Sequence, residues 1–288
     1  MNVLAFGEVL WDVYPDKKII GGAPLNFAAH LARHGNSVSL LSAIGNDDEG
    51  ASAVEIMQQW NISTDLVATL NDKTTGRCLV TLDSNAIPSY NLLRDVAYDY
   101  IDCKGSLNAF DMLYFGTLSL RSKQNMDLLK GIIESNDFEE IFVDLNIRQP
   151  FSTEEAVRFA LKQATIVKIS DEELPFVAKA LDISDAEDYK AFSRKLSDTY
   201  KNLRCIVITL GAKGAYALDI TKGIESECEA VTVKLASTVG AGDSFSAAFL
   251  HQYHRVPLDA AIRYATKIAG YVVSQYDAVP EYNSKDFS

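Results

Sequence analysis

Short runs rich in Val, Ile and Leu alternate along the chain with longer stretches whose apolar positions recur at helical spacing. That is the pattern of an α/β protein with a mainly parallel sheet covered on both faces. "NVLAFG" at 2–7 reads as a buried strand ending in Gly. "PLNFAAHLARHG" reads as a helix, with Pro24 in its first turn and Gly35 as its stop. "SVSLLSAIG" at 37–45 is the next strand, and "DDEGASAVEIMQQW" a helix with acids in its first turn. "DMLYFG", "IFVDLN", "ATIVKIS" and "RCIVITLG" continue the strands, with helices near 121–136, 153–163 and 171–201. "TLGAKGAYAL" reads as a hairpin with Gly at its turn. A β-rich stretch follows it, then "ASTVGAGDSFSAAFL", and a last helix spans 257–275.

Two places break this rhythm. At 66–93, "LVATL", "TGRCLVTLD" and "IPSYNLL" alternate between apolar and polar and are separated by turn residues Asn71, Asp72, Ser84 and Asn85. With "EVLWDVYP" at 8–15 they predict a small antiparallel sheet lying as a flap on the main domain. Residues 1–288 thus read as a single domain, with lid segments inserted at about 8–20 and 66–94. An exposed, alternating apolar sheet of this kind also leads us to expect a homodimer.

Composition narrows the function classes. The chain of 288 residues has 48% apolar and 23% charged residues, ordinary globular values, and no run long enough to span a bilayer. The N-terminus lacks the basic start and small-residue cleavage site of a signal peptide, so a cytoplasmic location is expected. Cys78, Cys103, Cys205 and Cys228 are scattered without C-x-x-C, which points to reduced thiols. His30/His34 and His251/His254 share helix faces but lack the Glu of H-E-x-x-H, and are expected to be surface or packing groups. A net charge of −12 excludes long polyanions such as nucleic acid while leaving a small anionic ligand open.

The candidate chemistry lies in "TVGAGDSF". Gly240 and Gly242 remove side chains where backbone approaches a ligand, and the following run is helical. Their amides therefore sit at a helix N-terminus that favours an anion. The stretch is neither the dinucleotide fingerprint, since Phe245 stands at the third glycine position, nor a Walker A loop. Taken alone, Asp243 is either an acid that stabilises the helix dipole or a proton acceptor beside a bound phosphate.

"TVGAGDSFSAAFL" and "GGAPLNFAAHLARHG" resemble the two signature regions of the PfkB/ribokinase family of carbohydrate kinases. "FGEVLWDVYP", "VDLNIR", "KISDEEL" and "TLGAKGA" match the family's order and spacing, so the resemblance covers nearly the whole chain. "FGEVLWDVYP", "FGTLSLR" and "DLNIR" are closest to its fructokinase branch, with 2-keto-3-deoxygluconate kinases as near neighbours. The resemblance implies a ribokinase-like, Rossmann-type three-layer α/β/α domain with a small β-sheet lid. Its implied activity is transfer of the γ-phosphate of ATP to a sugar hydroxyl, with Mg²⁺. Asp243 would be the base, and Gly240, Ala241 and Gly242 the backbone anion hole. Asp12, Gly22, Asn26 and Arg148 would face the sugar, although Asn26 also reads as a helix-start residue, Asp12 as a turn acid and Arg148 as a surface salt-bridge partner or a contact to nucleotide phosphate. Thr209, Gly211, Gly214 and Ser170 would border the nucleotide, and Glu173 would hold Mg²⁺ through water.

Four positions depart from the family pattern. Ser170 replaces the Asn of N-x-x-E, and Ser237 the Asp that helps to hold K⁺. Thr266 stands for an adenine-side Asn, and Asp277 for a Gly. These departures give some standing to a non-catalytic sugar- or nucleotide-binding regulator, against which the retained Asp243 and glycines argue.

Overall fold

In β1 (Asn2–Phe6), Val3 and Ala5 join one apolar cluster while Leu4 and Phe6 join another, so the strand buries both faces. The computed structural model describes residues 1–82, 88–183 and 187–287; Ser84 and Asn85 fall outside them. After β1 come β2 (Leu10–Val13), β3 (Lys18–Gly21), α1 (Ala23–Arg33), β4 (Ser37–Gly45) and α2 (Asp48–Gln59). Next are β5 (Ile62–Ser63), β6 (Val67–Leu70), β7 (Gly76–Leu82), β8 (Pro88–Leu92), β9 (Met112–Phe115) and α3 (Lys123–Ser135). The chain continues through β10 (Glu140–Asp144), α4 (Glu154–Gln163), β11 (Ile166–Ser170), α5 (Leu174–Leu181), α6 (Tyr189–Thr199) and β12 (Cys205–Thr209). It ends with β13 (Ala215–Asp219), β14 (Ile224–Cys228), α7 (Ala241–Tyr253) and α8 (Leu258–Val273).

Among the described residues the main sheet has ten strands, in the order β14-β13-β12-β11-β10-β9-β1-β4-β5, with β6 also on β4. It is parallel from β5 to β12 and turns antiparallel at β13 and β14. Helices α1, α2, α7 and α8 pack on one face and α3 to α6 on the other, which makes three layers. The chain winds outward from β1 in one direction through β4 and in the other through β9. The crevice at the carboxyl ends of these strands is where open α/β sheets bind ligands. None of the described helices is long and apolar enough to cross a membrane.

The lid is a separate four-stranded sheet in the order β3-β2-β7-β8. Two features differ from the pattern-based expectation. "LVATL" is not in the lid: Val67–Leu70 forms β6 and pairs in parallel with β4, extending the main sheet. The lid is also mixed rather than antiparallel, because β2 and β7, from distant parts of the chain, run parallel. An alternating segment looks the same at the margin of either sheet, and its partner is a tertiary matter. The β-rich stretch expected before "ASTVGAGD" is a strand only at Ile224–Cys228, after which 229–239 is irregular.

The lid is tied to the N-terminus of α2. Glu49 forms ion pairs with Lys18 of β3 and, at 2.5 Å, with Arg77 of β7; its carbonyl oxygen accepts from Trp11 Nε1 of β2 at 3.1 Å. Asp47, the N-cap of α2, accepts from Gly50 N at 2.8 Å and from Thr75 N and Oγ1, immediately before β7, at 2.8 and 2.6 Å. Although burial opposes the charge, these hydrogen bonds hold the Asp47 carboxyl below the usual range. Asp47→Ala is expected to lower unfolding free energy by about 2 kcal/mol at neutral pH in urea titrations. The deficit should shrink as pH falls through the depressed Asp47 pKa, because protonation removes the same bonds from the wild type.

Candidate functional site

Helix α7 begins at the carboxyl edge of the sheet with a backbone only glycine adopts without strain. Gly240, its N-cap, has φ 80°, and a Cβ there would lie 2.4 Å from the Ala278 carbonyl oxygen. No side chain caps this helix; Ala241 N makes only a long contact of 3.4 Å to Thr238 O. The helix therefore presents amide donors and the positive end of its dipole to the crevice. A Cβ on Gly242 would stand 3.0 Å from Lys168 Nζ, so a buried ammonium lies directly beside this turn.

Asp243, in the same turn, is 8% exposed and accepts a 2.8 Å hydrogen bond at Oδ2 from Asn26 Nδ2 of α1. The side-chain oxygen Oδ1 of Asn26 has no partner. Burial pushes the Asp243 pKa up to about 6, and the charge of Asp144 adds to this; the Asn26 hydrogen bond, Lys168 and Arg148 pull it back. This acid is poised between its charged and neutral forms just below neutral pH.

Lys168 of β11 lies opposite Asp144 of β10, with Nζ 3.1 and 3.2 Å from the two carboxylate oxygens, and Ser246 Oγ of α7 donates to Asp144 at 2.9 Å. All three are buried. Burial opposes the lysine's charge, but Asp144, Glu173 and Asp243 outweigh it and raise its pKa, so it stays protonated. Sequence reasoning gave these residues no role. The available signal was a single charge interrupting each of two buried strands, in "FVDLN" and "IVKIS", since such charges are rarely buried unless paired.

The residues expected to face a sugar do meet in one part of the crevice. Gly22 caps α1 with φ 119°, and a Cβ there would lie 2.3 Å from Glu8 O. Asp12 of β2 reaches Gly21, whose Cβ would stand 3.3 Å from Oδ2; burial raises its pKa against the pull of a Cys78 hydrogen bond and of Arg148. Arg148 is exposed on the loop after β10, and its charge acts on Asp12, Glu8 and Asp243 together, so it faces the same space.

On the other side, Ser170 and Thr209 end β11 and β12 in register. Gly211 has φ 54°, and Gly214 has φ 110° with Cys228 O 1.9 Å from the place of a Cβ, so the turn between β12 and β13 needs both glycines. Glu173, expected to hold Mg²⁺ through water, also ties backbone together. Oε1 accepts from Ile147 N at 2.6 Å and Oε2 from Ser170 N at 2.7 Å, which clamps the loops after β10 and β11 together. Ser237 turns its hydroxyl back to Val239 N at 3.2 Å, Thr266 contacts Cys228 Sγ at 3.1 Å, and Asp277 is exposed. Between β14 and α7, Val231, Val233, Leu235 and Val239 form an exposed apolar strip, with Leu235 63% exposed. Its signal in the sequence was the alternation in "VTVKL". Three of the histidines pack: His30 lies between Tyr282 Oη at 2.8 Å and Ala278 O at 2.9 Å, and His34 stacks on His251, whereas His254 is exposed and lies 3.3 Å from Glu140.

Comparison with known proteins bears on the family and the fold. The chain is 27% identical over 274 residues to a probable fructokinase-5 of Arabidopsis thaliana, covering 86% of this chain and 81% of that protein. It is 26% identical over 273 residues to fructokinase-2 of Oryza sativa subsp. japonica, covering 86% and 78%. Among solved structures, a fructokinase from Xylella fastidiosa with bound ATP superposes with a TM-score of 0.86 at 19% identity, covering 99% of this chain and 97% of that one. Aminoimidazole riboside kinase from Salmonella enterica superposes at 0.80 and 21% identity, covering 100% and 99%. The fold is thus ribokinase-like. The family model for pfkB family carbohydrate kinases matches residues 5–284, and the chain belongs to that family.

Proposed function

We propose that this protein is an ATP-dependent fructokinase in which Asp243 is the base. The observation that carries the reading is the first turn of α7: a buried carboxyl near its ionisation point lies next to uncapped amides and the Lys168 ammonium. A proton acceptor and an anion site, side by side, are what phosphoryl transfer to a hydroxyl needs.

In this mechanism Asp12, the free side-chain oxygen of Asn26 and the Gly22 backbone hold the sugar so that one hydroxyl meets Asp243. Asp243 takes the hydroxyl proton, the sugar oxygen bonds to the γ-phosphorus, and the bond to the bridging oxygen of ADP breaks. The amides of Gly240, Ala241 and Gly242 stabilise the charge on the phosphoryl group in flight, with Lys168 reinforcing them from below. Ser170, Thr209 and the turn at Gly211 and Gly214 border the nucleotide, and the strip from Val231 to Val239 offers an apolar face to its base. Mg²⁺ neutralises the ATP phosphates when bound. Both oxygens of Glu173 already accept backbone amides, so this residue fits a metal only through intervening water. Ser237 supplies a hydroxyl rather than a carboxylate, and K⁺ has no place in the steps proposed.

Fructose is chosen because of the relatives' names. Arg148 supports a second reading: its exposed charge facing the crevice suits the carboxylate of a sugar acid such as 2-keto-3-deoxygluconate. We place the enzyme in the cytoplasm.

Purified protein with ATP, Mg²⁺ and a panel of sugars is expected to form ADP fastest with fructose. No ADP above background overturns the kinase reading. A preference for a sugar acid that is lost in Arg148→Ala selects the second reading. Asp243→Ala should lower kcat by about 10²–10⁴-fold while ATP still binds by calorimetry. Because Asp243 must be deprotonated, kcat/KM should rise with pH through about 6 and fall about tenfold per unit below it. Asn26→Leu removes a hydrogen bond to the charged form and should move that limb to higher pH. The lid carries Tyr90, 53% exposed, on β8. We propose that it seats a second copy, so light scattering at micromolar concentration should give a dimer mass, and a monomer mass refutes this.

A further inference from the structure

Glu8 follows the end of β1 and, although 3% exposed, has no part in the chemistry described above. It touches the first turn of α1 in two ways. Its backbone carbonyl occupies the space a side chain at residue 22 would need, 2.3 Å from the place of a Cβ. Its carboxylate Oε1 accepts from Ala23 N, the first amide of α1, at 3.3 Å. Gly22 brings no side-chain cap to this helix, so the carboxyl of Glu8 supplies one from outside. The turn it holds contains Asn26, whose backbone N donates to Gly22 O at 2.9 Å and whose side chain donates to Asp243. The second oxygen of Glu8 is buried without a partner.

We propose that Glu8 is a positioning residue of the reaction, capping α1 from the end of β1 so that Gly22 and Asn26 are held against the sugar and Asp243. The proposal rests on the reading of Asn26 and Asp243 given above. The groups that face Glu8 are Asp243 of α7, Arg148 after β10, Tyr114 of β9, and Tyr98 and Arg121 on the segments flanking β9. Burial pushes the Glu8 carboxyl up to about 7; the Asp243 charge raises it further, while backbone hydrogen bonds, including that from Ala23, and Arg148 oppose the rise. Oε1 rests on the Ala23 amide, and Oε2 has no partner.

Glu8→Ala removes the acceptor and is expected to raise the sugar KM and lower kcat, together by about ten- to a hundredfold, with the KM for ATP unchanged. Glu8→Gln retains an acceptor oxygen and should recover most of both. Equal losses in the two variants, or wild-type kinetics in Glu8→Ala, overturn the proposal. A second readout needs no turnover. In ¹⁵N-labelled wild-type protein the Ala23 amide shift should titrate with a midpoint near 7, and in Glu8→Gln it should be flat through that range. An Ala23 amide with the same shift and the same pH response in the wild type and in Glu8→Ala refutes the cap, whatever the role of Asp243.

Discussion

Beneath the first turn of α7 the molecule buries a lysine and an aspartate against each other, and the proposed chemistry above depends on that pair. Asp144 is the largest of the charges that keep Lys168 protonated in so dry a place, ahead of Glu173 and Asp243, and Asp144 without Lys168 would be one more uncompensated acid next to Asp243. The pair is nearly neutral seen from a distance, yet its two ends lie at different heights. The ammonium touches Gly242, and the carboxylate is held lower down by Ser246. The result is a local field, positive at the helix N-terminus, in a crevice that otherwise gathers Glu8, Asp12 and Asp243. In a protein of net charge −12, the buried Lys168 ammonium gives this turn a local sign opposite to that of the whole chain.

Steric exclusion sets the geometry as firmly as charge does. Gly22 and Gly240, the N-caps of α1 and α7, each lie against a carbonyl oxygen, of Glu8 and of Ala278. These two close approaches fix where each helix starts, and so fix Asn26 and Asp243 within one hydrogen bond of each other although they are 217 residues apart in sequence. His30 grips the Ala278 carbonyl that backs Gly240, so α1 supports the second helix start as well as providing its own.

How much of this could be read from sequence depended on whether a feature is local. The start and stop of α1 follow from Gly22, Pro24 and Gly35, and β4 spans the apolar run at 37–45. The helix start at Gly240 was legible because glycines before a helical run are a local pattern, whereas that pattern alone left the role of Asp243 open. The parallel pairing of β2 with β7 and the placement of β6 beside β4 were not, since neither partner is written into an alternating segment. The Asp144–Lys168 pair joins positions 24 apart on neighbouring strands, and only the sheet order makes them partners. The clamp that Glu173 forms was not legible, because its two amide partners belong to different loops.

The lid is made of two excursions from the main sheet, one leaving after β1 and the other after β6, joined through β2 and β7. During synthesis the first excursion emerges long before its partner strand exists, and nothing in it can close a sheet alone. Joining β2 to β7 closes a long loop, and the parallel pairing of β1 and of β6 with β4 is what brings the ends of that loop together. Its two halves meet only because the body beneath them sets where each excursion leaves and returns.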